Sequence, residues 1–258
     1  MHNTTPLTDN LNINTIPLNF STFASNLPKQ VALPPLGHDY DQVANIIHPE
    51  ILKYHYEVLH RGYVDRYNAA AANFTDQSIE NFLSGSGITD PGRNKQFLFG
   101  GYINHALYWR SFSHDAANYQ MSQNLAALFN QAFKSRESFK EEATKAMNQI
   151  HGSGWLWVMY SPQADRVYLN ISSEHWFPVQ DVPLLAVDVW EHAYLWYSEK
   201  GCKVQYISKI LDALNWKYAS ERLDLALAAK EQDKKQSGLP ASDPGIPANV
   251  LLKGCHTS

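Results

Sequence analysis

Cysteine is scarce in this chain of 258 residues, which holds only Cys202 and Cys255. Two cysteines cannot make a disulfide framework, so a fold stapled by crosslinks is excluded and a reducing compartment is allowed. Runs of about 20 apolar residues, the length a helix needs to cross a bilayer, are absent. Positive charge does not prevail, since 21 Lys and Arg against 25 Asp and Glu leave a net charge of −4. That balance gives no reason to expect nucleic acid as a partner. Residues 1–26 contain no lysine or arginine, and so lack both the basic start of a secretory signal and the arginines of a mitochondrial transit segment. The composition therefore points to a cytoplasmic protein with neither membrane nor nucleic acid as a partner. Apolar residues, at 44% of the chain, suffice for one large domain or two small ones.

Residues 1–30 show little helical period and read as an N-terminal extension. Leu33-Pro34-Pro35-Leu36 is an extended entry segment, because residues before proline avoid the helical region. Pro49 suits the first turn of a helix, where a missing N–H costs nothing, and that helix is expected over about 48–72. A Gly, Ser, Asp and Pro-rich connection at 84–93 breaks the chain, and a second long helix is expected over about 94–112. The two suggest an antiparallel helical hairpin occupying residues 31–120.

Residues 122–150 read as helical again, with a break at Ser135-Arg136-Glu137-Ser138. Strand-length aromatic and β-branched runs follow at 155–160 and 166–171, joined by a turn at 161–165. A third strand is expected at 184–188, then helices at about 191–199, 204–214 and 218–232. The fold class is α+β: a helical hairpin followed, over 121–232, by an α/β domain with a small three-stranded antiparallel sheet. Residues 233–258 read as a flexible tail.

Chemistry concentrates in Asp188-Val189-Trp190-Glu191-His192. A carboxylate and an imidazole four apart share one helix face or flank a tight strand-to-helix turn, so both can reach one metal ion. Trp190 between them can wall off water. The first long helix carries His55, Leu59 and Tyr63 at i, i+4 and i+8, nearly on one face. The second carries His105 and Trp109, after Gly100-Gly101. If the two helices pair antiparallel, His55 and His105 can point into one gap. With Asp188 and His192 they make three imidazoles and one carboxylate, a set that suits iron, manganese or zinc. Zinc has no redox chemistry, so a redox task would select iron or manganese.

Over roughly residues 31–232 the chain resembles the iron/manganese superoxide dismutase family. The resemblance rests on Leu33-Pro34-Pro35-Leu36, the His55…Tyr63-Val64 helix, Gly100-Gly101-Tyr102-Ile103-Asn104-His105, Gly152-Ser153-Gly154-Trp155 and Asp188-Val189-Trp190-Glu191-His192-Ala193-Tyr194, in the family's order and approximate spacing. It implies one iron or manganese ion per subunit, held by His55, His105, Asp188 and His192 with a solvent molecule. Tyr63 would gate substrate entry, and Trp109, Trp155, Trp157 and Trp190 would form an apolar wall. Glu191 would reach a ligand histidine of a second copy, which implies a homodimer or homotetramer. In the implied reaction one superoxide gives up its electron and leaves as dioxygen. A second takes an electron and two protons and leaves as hydrogen peroxide.

The chain also departs from the family pattern. The glutamine that commonly supplies an outer hydrogen bond is replaced by Gly101 in one of its two places. In the other stands His175, which takes that role by resemblance and tips the metal towards iron. A His and a Tyr that commonly meet across subunits are replaced by Leu59 and Leu195. The usual cation of the substrate funnel appears as Lys203. His38, His60, His114 and His151 read as structural. These departures keep two other readings in view: a non-catalytic member of the same fold, and a redox enzyme with peroxide-linked activity.

Overall fold

The computed structural model describes residues 30–71, 91–178, 180–195 and 202–236. The N-terminal extension up to residue 29, most of the 84–93 connection, the second half of the helix expected at 191–199 and the chain beyond 236 lie outside the described residues.

Helix α1 is Pro49–Tyr54, with Pro49 in its first turn and the His48 ring accepting from the Glu50 N–H at 3.3 Å. It runs into a π-helical stretch, His55–His60, and then into α2, Arg61–Ala71. The wider π turn changes which side chains face inward. In an α-helix residues five apart diverge by about 140°, whereas hydrogen bonding from i to i+5 brings them nearer one face. His55 and His60 are accordingly both fully buried, and Leu59, expected on the His55 face, is only half-buried. Helix α3, Pro91–Ser111, packs against α2 to complete the hairpin. Val31 is tied to α2 by a pair of bonds with Asn68, each 2.8 Å long.

Helices α4, Gln123–Phe133, and α5, Arg136–Asn148, replace the single broken helix expected over 122–150. The break is a stop and a start in succession. Lys134 turns left-handed at φ 66°, and the Ser135 hydroxyl accepts from the Ser138 N–H at 3.1 Å to cap α5. Three strands follow: β1, Gly154–Ser161, β2, Arg166–Ser173, and β3, Val182–Asp188. They form one antiparallel sheet in the order β2-β1-β3. The central strand β1 is buried along its whole length, which is why it reads as an unbroken apolar run. Strand β3 starts two residues earlier than expected. A register shift at Val158 and Met159 accommodates Pro183, a residue that sheets admit at edges and bulges.

Two further expectations need correction. The helix expected at 191–199 is, in its described first half, a 3-10 turn, Glu191–Ala193, because Tyr194 leaves the helical region at φ −138°. Residues 233–236, expected in a flexible tail, belong to α7, Trp216–Gln236, which continues through good helix formers and a Lys234–Glu231 pair. Between them lies α6, Cys202–Asp212.

The halves are joined where α3 ends. The Ser111 hydroxyl donates to Leu107 O and accepts from the Ala186 N–H of β3. The Ser111 carbonyl accepts from the Asn215 N–H, beside a bridge between Phe112 and Leu214. One hydrophobic cluster runs through hairpin and sheet. The architecture is the expected α+β arrangement, a helical hairpin on an α/β unit with three antiparallel strands.

Candidate metal centre

At the junction of the halves, His55 from the π stretch, His105 from α3, Asp188 at the end of β3 and His192 from the 3-10 turn bring one ligand atom each to within 4.8 Å of one another. Asp188 is placed by its pairing with Trp155 across the sheet. Its Oδ1 accepts from the Trp190 N–H at 2.8 Å, so the turn that carries His192 is held by the same carboxylate. Its Oδ2 lies 3.2 Å from His55 Nε2, 3.3 Å from His192 Nε2 and 3.5 Å from His105 Nε2. The expected ligand residues thus lie side by side, although they come from positions 55 to 192 of the chain.

The tautomers follow from the surroundings. His105 Nδ1 donates to the Gly101 carbonyl at 2.5 Å, which leaves the Nε2 lone pair facing the cluster. That nitrogen is buried and has no hydrogen-bond partner. His55 Nε2 and His192 Nε2 stand 3.1 Å apart. Nitrogen lone pairs that converge beside a carboxylate oxygen repel one another unless a cation lies among them. Burial, with the neighbouring His192, pushes the His55 imidazole down to about 4. Burial, with His55 beside it, also drives His105 well below its ordinary value. Burial pushes the Asp188 carboxyl up, but His192 and His55 more than reverse this and hold it well below the usual carboxylate range. His55 and His105 are therefore neutral and Asp188 ionised at pH 7, the protonation states that metal binding requires. The donor set fits one iron or manganese ion.

An aromatic shell surrounds these donors. Trp109 meets the His55 ring edge-on at 4.8 Å, Trp155 meets His105 at 5.1 Å, and Trp190 stacks on His192 at 5.6 Å. Trp157, expected in the same wall, lies one layer back against Trp155. Each indole N–H has an acceptor: His60 Nδ1 for Trp109, His175 Nδ1 for Trp155, Ser172 Oγ for Trp157 and Glu174 O for Trp190.

His175 stacks on Trp190 at 4.4 Å and lies 5.6 Å from the His105 ring. An indole only donates, so His175 Nδ1 is the acceptor and Nε2 carries the proton. That Nε2 is buried with no hydrogen-bond partner. Burial pushes the His175 imidazole down to about 3. Tyr63 packs edge-on against His175 at 4.6 Å and stacks over His105 at 5.5 Å. Burial, first among its causes, raises its phenol to about 12. The glycine pair makes these contacts possible. A Cβ on Gly100 would fall 1.8 Å from the His175 carbonyl oxygen, and one on Gly101 would fall 2.4 Å from the Tyr63 ring.

Three further side chains around the site have no place in the sequence reading beyond His60 as a structural residue. His60 accepts from Trp109 and therefore donates from Nε2 to the Tyr102 carbonyl at 3.0 Å, while stacking on His105 at 5.2 Å. The Tyr206 hydroxyl donates to the Asp188 carbonyl at 2.7 Å, so the Tyr108 hydroxyl, 2.9 Å away, donates to Tyr206. No motif marks these tyrosines, because the helices that carry them meet only in the fold.

The cluster reaches solvent at His192, whose side chain is 21% exposed, against 0% for Asp188. Glu191 beside it is half-buried and accepts from the Ser153 hydroxyl at 3.1 Å. Leu195 is 58% exposed. Lys203, expected to line the funnel, donates to the Ile150 carbonyl at 3.3 Å. Of the other histidines read as structural, His38 bonds the Trp109 carbonyl at 2.7 Å and stacks on Phe112. Among the described residues no helix is long and apolar enough to cross a membrane.

Fold and site together define a protein with a buried site for a single metal ion, clasped between a helical hairpin and an α/β unit. The pattern described as "Iron/manganese superoxide dismutases, alpha-hairpin domain" matches residues 30–113, and that described as "Iron/manganese superoxide dismutases, C-terminal domain" matches residues 121–222. The chain is 32% identical over 195 residues to "Superoxide dismutase [Mn], mitochondrial" of Glossina morsitans morsitans, covering 74% of this chain and 87% of that protein. It is 31% identical over 205 residues to "Superoxide dismutase [Fe]" of Pyrobaculum aerophilum, covering 77% and 94%. To "Superoxide dismutase [Mn]" of Chlamydia muridarum it is 28% identical over 196 residues, covering 74% and 94%. The chain belongs to the iron/manganese superoxide dismutase family.

Proposed function

We propose that this chain converts superoxide to dioxygen and hydrogen peroxide, with one iron or manganese ion held by His55, His105, Asp188 and His192. The observation that carries the reading is the convergence of those four donors within 4.8 Å. When bound, the ion supplies a one-electron store that alternates between the +3 and +2 states, taking an electron from one superoxide and giving it to a second.

The protein's own residues hold and shield this store. The Asp188 carboxylate offsets positive charge in a water-poor pocket, and its bond from the Trp190 N–H fixes which oxygen faces the imidazoles. Gly101 orients His105 through its carbonyl. Trp109, Trp155 and Trp190 keep bulk water from the donors, with Trp157 supporting them from behind. His175 keeps a proton on Nε2 beside the cluster, available to an oxygen ligand there. Tyr63 keeps its phenolic proton at neutral pH. Its place over His105 supports the gating role, and its phenol is a donor close to where peroxide must be protonated. Iron is favoured over manganese on the strength of His175, while the related proteins include both kinds.

The assembly we propose is a homodimer or homotetramer. Tyr54, Val58, Leu195 and Val204 are apolar and exposed, and Leu195 lies in the same turn as Glu191, the residue expected to reach a second copy. Sedimentation as a monomer at micromolar concentration would refute this. A cytoplasmic location is proposed from composition alone, and uptake of the full chain by isolated mitochondria would refute it.

The deciding experiment is superoxide decay followed by stopped flow, on protein reconstituted separately with iron and with manganese. Fast decay with iron supports the whole reading, and fast decay with manganese alone refutes the metal preference. No decay with either ion bound would point to a non-catalytic member of the fold. His55→Ala and Asp188→Ala are expected to lose both ion and activity; full metal occupancy in either would overturn the ligand assignment.

A further inference from the structure

Arg66, on α2, is one turn beyond Tyr63 and has an exposed side chain. Its guanidinium carbon lies 4.9 Å from the centre of the Tyr63 ring. The side chain folds back along its own helix, so that its Nη2 sits 3.7 Å from where a Cβ on Gly62 would stand. Among the described residues no carboxylate is ion-paired with it. Lys203, the cation expected at the approach to the site, keeps its charge but is tied to the Ile150 carbonyl. Arg66 is therefore a cation held over the aromatic ring that borders the buried donors.

We propose that Arg66 draws small univalent anions towards Tyr63 and thereby steers superoxide to the site. This rests on the dismutase reading. An exposed cation at the rim of a low-dielectric opening raises the local concentration of anions, and steering charges as a set raise association rates by about 10- to 1,000-fold. The contact with Tyr63 matters because a cation on an aromatic face is held in place, whereas a free arginine sweeps a wide volume. Arg66 is a steering residue: it touches neither the four donors nor, on this account, the reacting atoms.

The test compares the iron- or manganese-loaded protein with Arg66→Gln and Arg66→Lys. The readouts are kcat/KM against ionic strength and the affinity for azide, a small univalent anion, followed by absorbance. Thermal unfolding confirms that each variant folds. Arg66→Gln is expected to lower kcat/KM about 3- to 10-fold at low salt. The difference should vanish near 1 M salt, where charges are screened within about 3 Å. Azide affinity should fall by a similar factor, and Arg66→Lys should recover most of both losses. An unchanged salt dependence with unchanged azide affinity overturns the proposal. So does an equal loss at every salt concentration, which would mean that Arg66 acts by holding the Tyr63 ring in place. If the unaltered protein fails to consume superoxide yet binds azide in an Arg66-dependent way, the dismutase reading falls and the anion-attracting role stands.

Discussion

His60 cannot take a proton without breaking a bond. Its Nδ1 accepts from Trp109, its Nε2 donates to Tyr102, and no water reaches it. Burial, first among its causes, holds its pKa at about 3 against an ordinary 6.5. In the unfolded chain the imidazole binds a proton below 6.5, and the folded protein refuses that proton until about pH 3. The corresponding stability is complete above pH 6.5 and is lost as pH falls through this window, at no more than about 1.4 kcal/mol per pH unit. Urea unfolding of the metal-free protein at pH 7 and pH 5 is expected to show this loss, and His60→Gln to reduce the average slope between them by about 0.7 proton. An unchanged slope would show that His60 is not held neutral. The sequence identified His60 as structural but not its partners, since tautomer and hydrogen bonds depend on α3, some 40 positions away. Leu59 was misplaced for a related reason. A strict 3.6-residue period puts it beside His55, and nothing in the residue types announces a π turn.

Among the elements, α3 is the most constrained because it passes close to both the Tyr63 ring and the His175 backbone. Gly101→Ala would drive a methyl group into Tyr63, at a cost of about 1–3 kcal/mol. Because the obstacle is a side chain, Tyr63→Ala should relieve the clash. The double variant is therefore expected to be more stable than the sum of the two single losses, by 1 kcal/mol or more in a denaturation cycle. Additive losses would show that the ring is not what Gly101 accommodates. Gly100 offers no such relief, since its neighbour is a backbone carbonyl. The glycine pair was legible as part of a family motif, and its physical reason became visible only once helix and loop were placed together. The three strands were legible because β1 and β3 are buried throughout and carry apolar runs. The turn after β3 was legible only as one of two alternatives, because Asp188 and His192 at helical spacing look the same in a helix and in a tight turn after a strand.

For the molecule as a whole, the boundary near residue 30 has a structural counterpart. Val31 is buried and doubly bonded to Asn68 on α2. Removing residues 1–26 is expected to leave metal content and melting temperature unchanged. Removing residues 1–33 should lower the melting temperature by several degrees, because one or two buried bonds and an apolar contact are lost. Equal stability of the two truncations would show that Val31 contributes nothing to the hairpin.

The four donors are divided evenly, with His55 and His105 before the sheet and Asp188 and His192 after it. While the chain is being synthesised, its first half offers an ion only two imidazoles, a weak chelator that iron and manganese occupy poorly compared with copper. If all four donors hold the ion, as proposed, full capture waits until residues 188–192 have left the ribosome and β3 has joined the sheet. On the proposed ligand assignment the choice of ion then falls to a nearly finished protein and follows the pool that surrounds it. The same sequence expressed in cells that differ in iron and manganese supply would be loaded differently without any change in its residues.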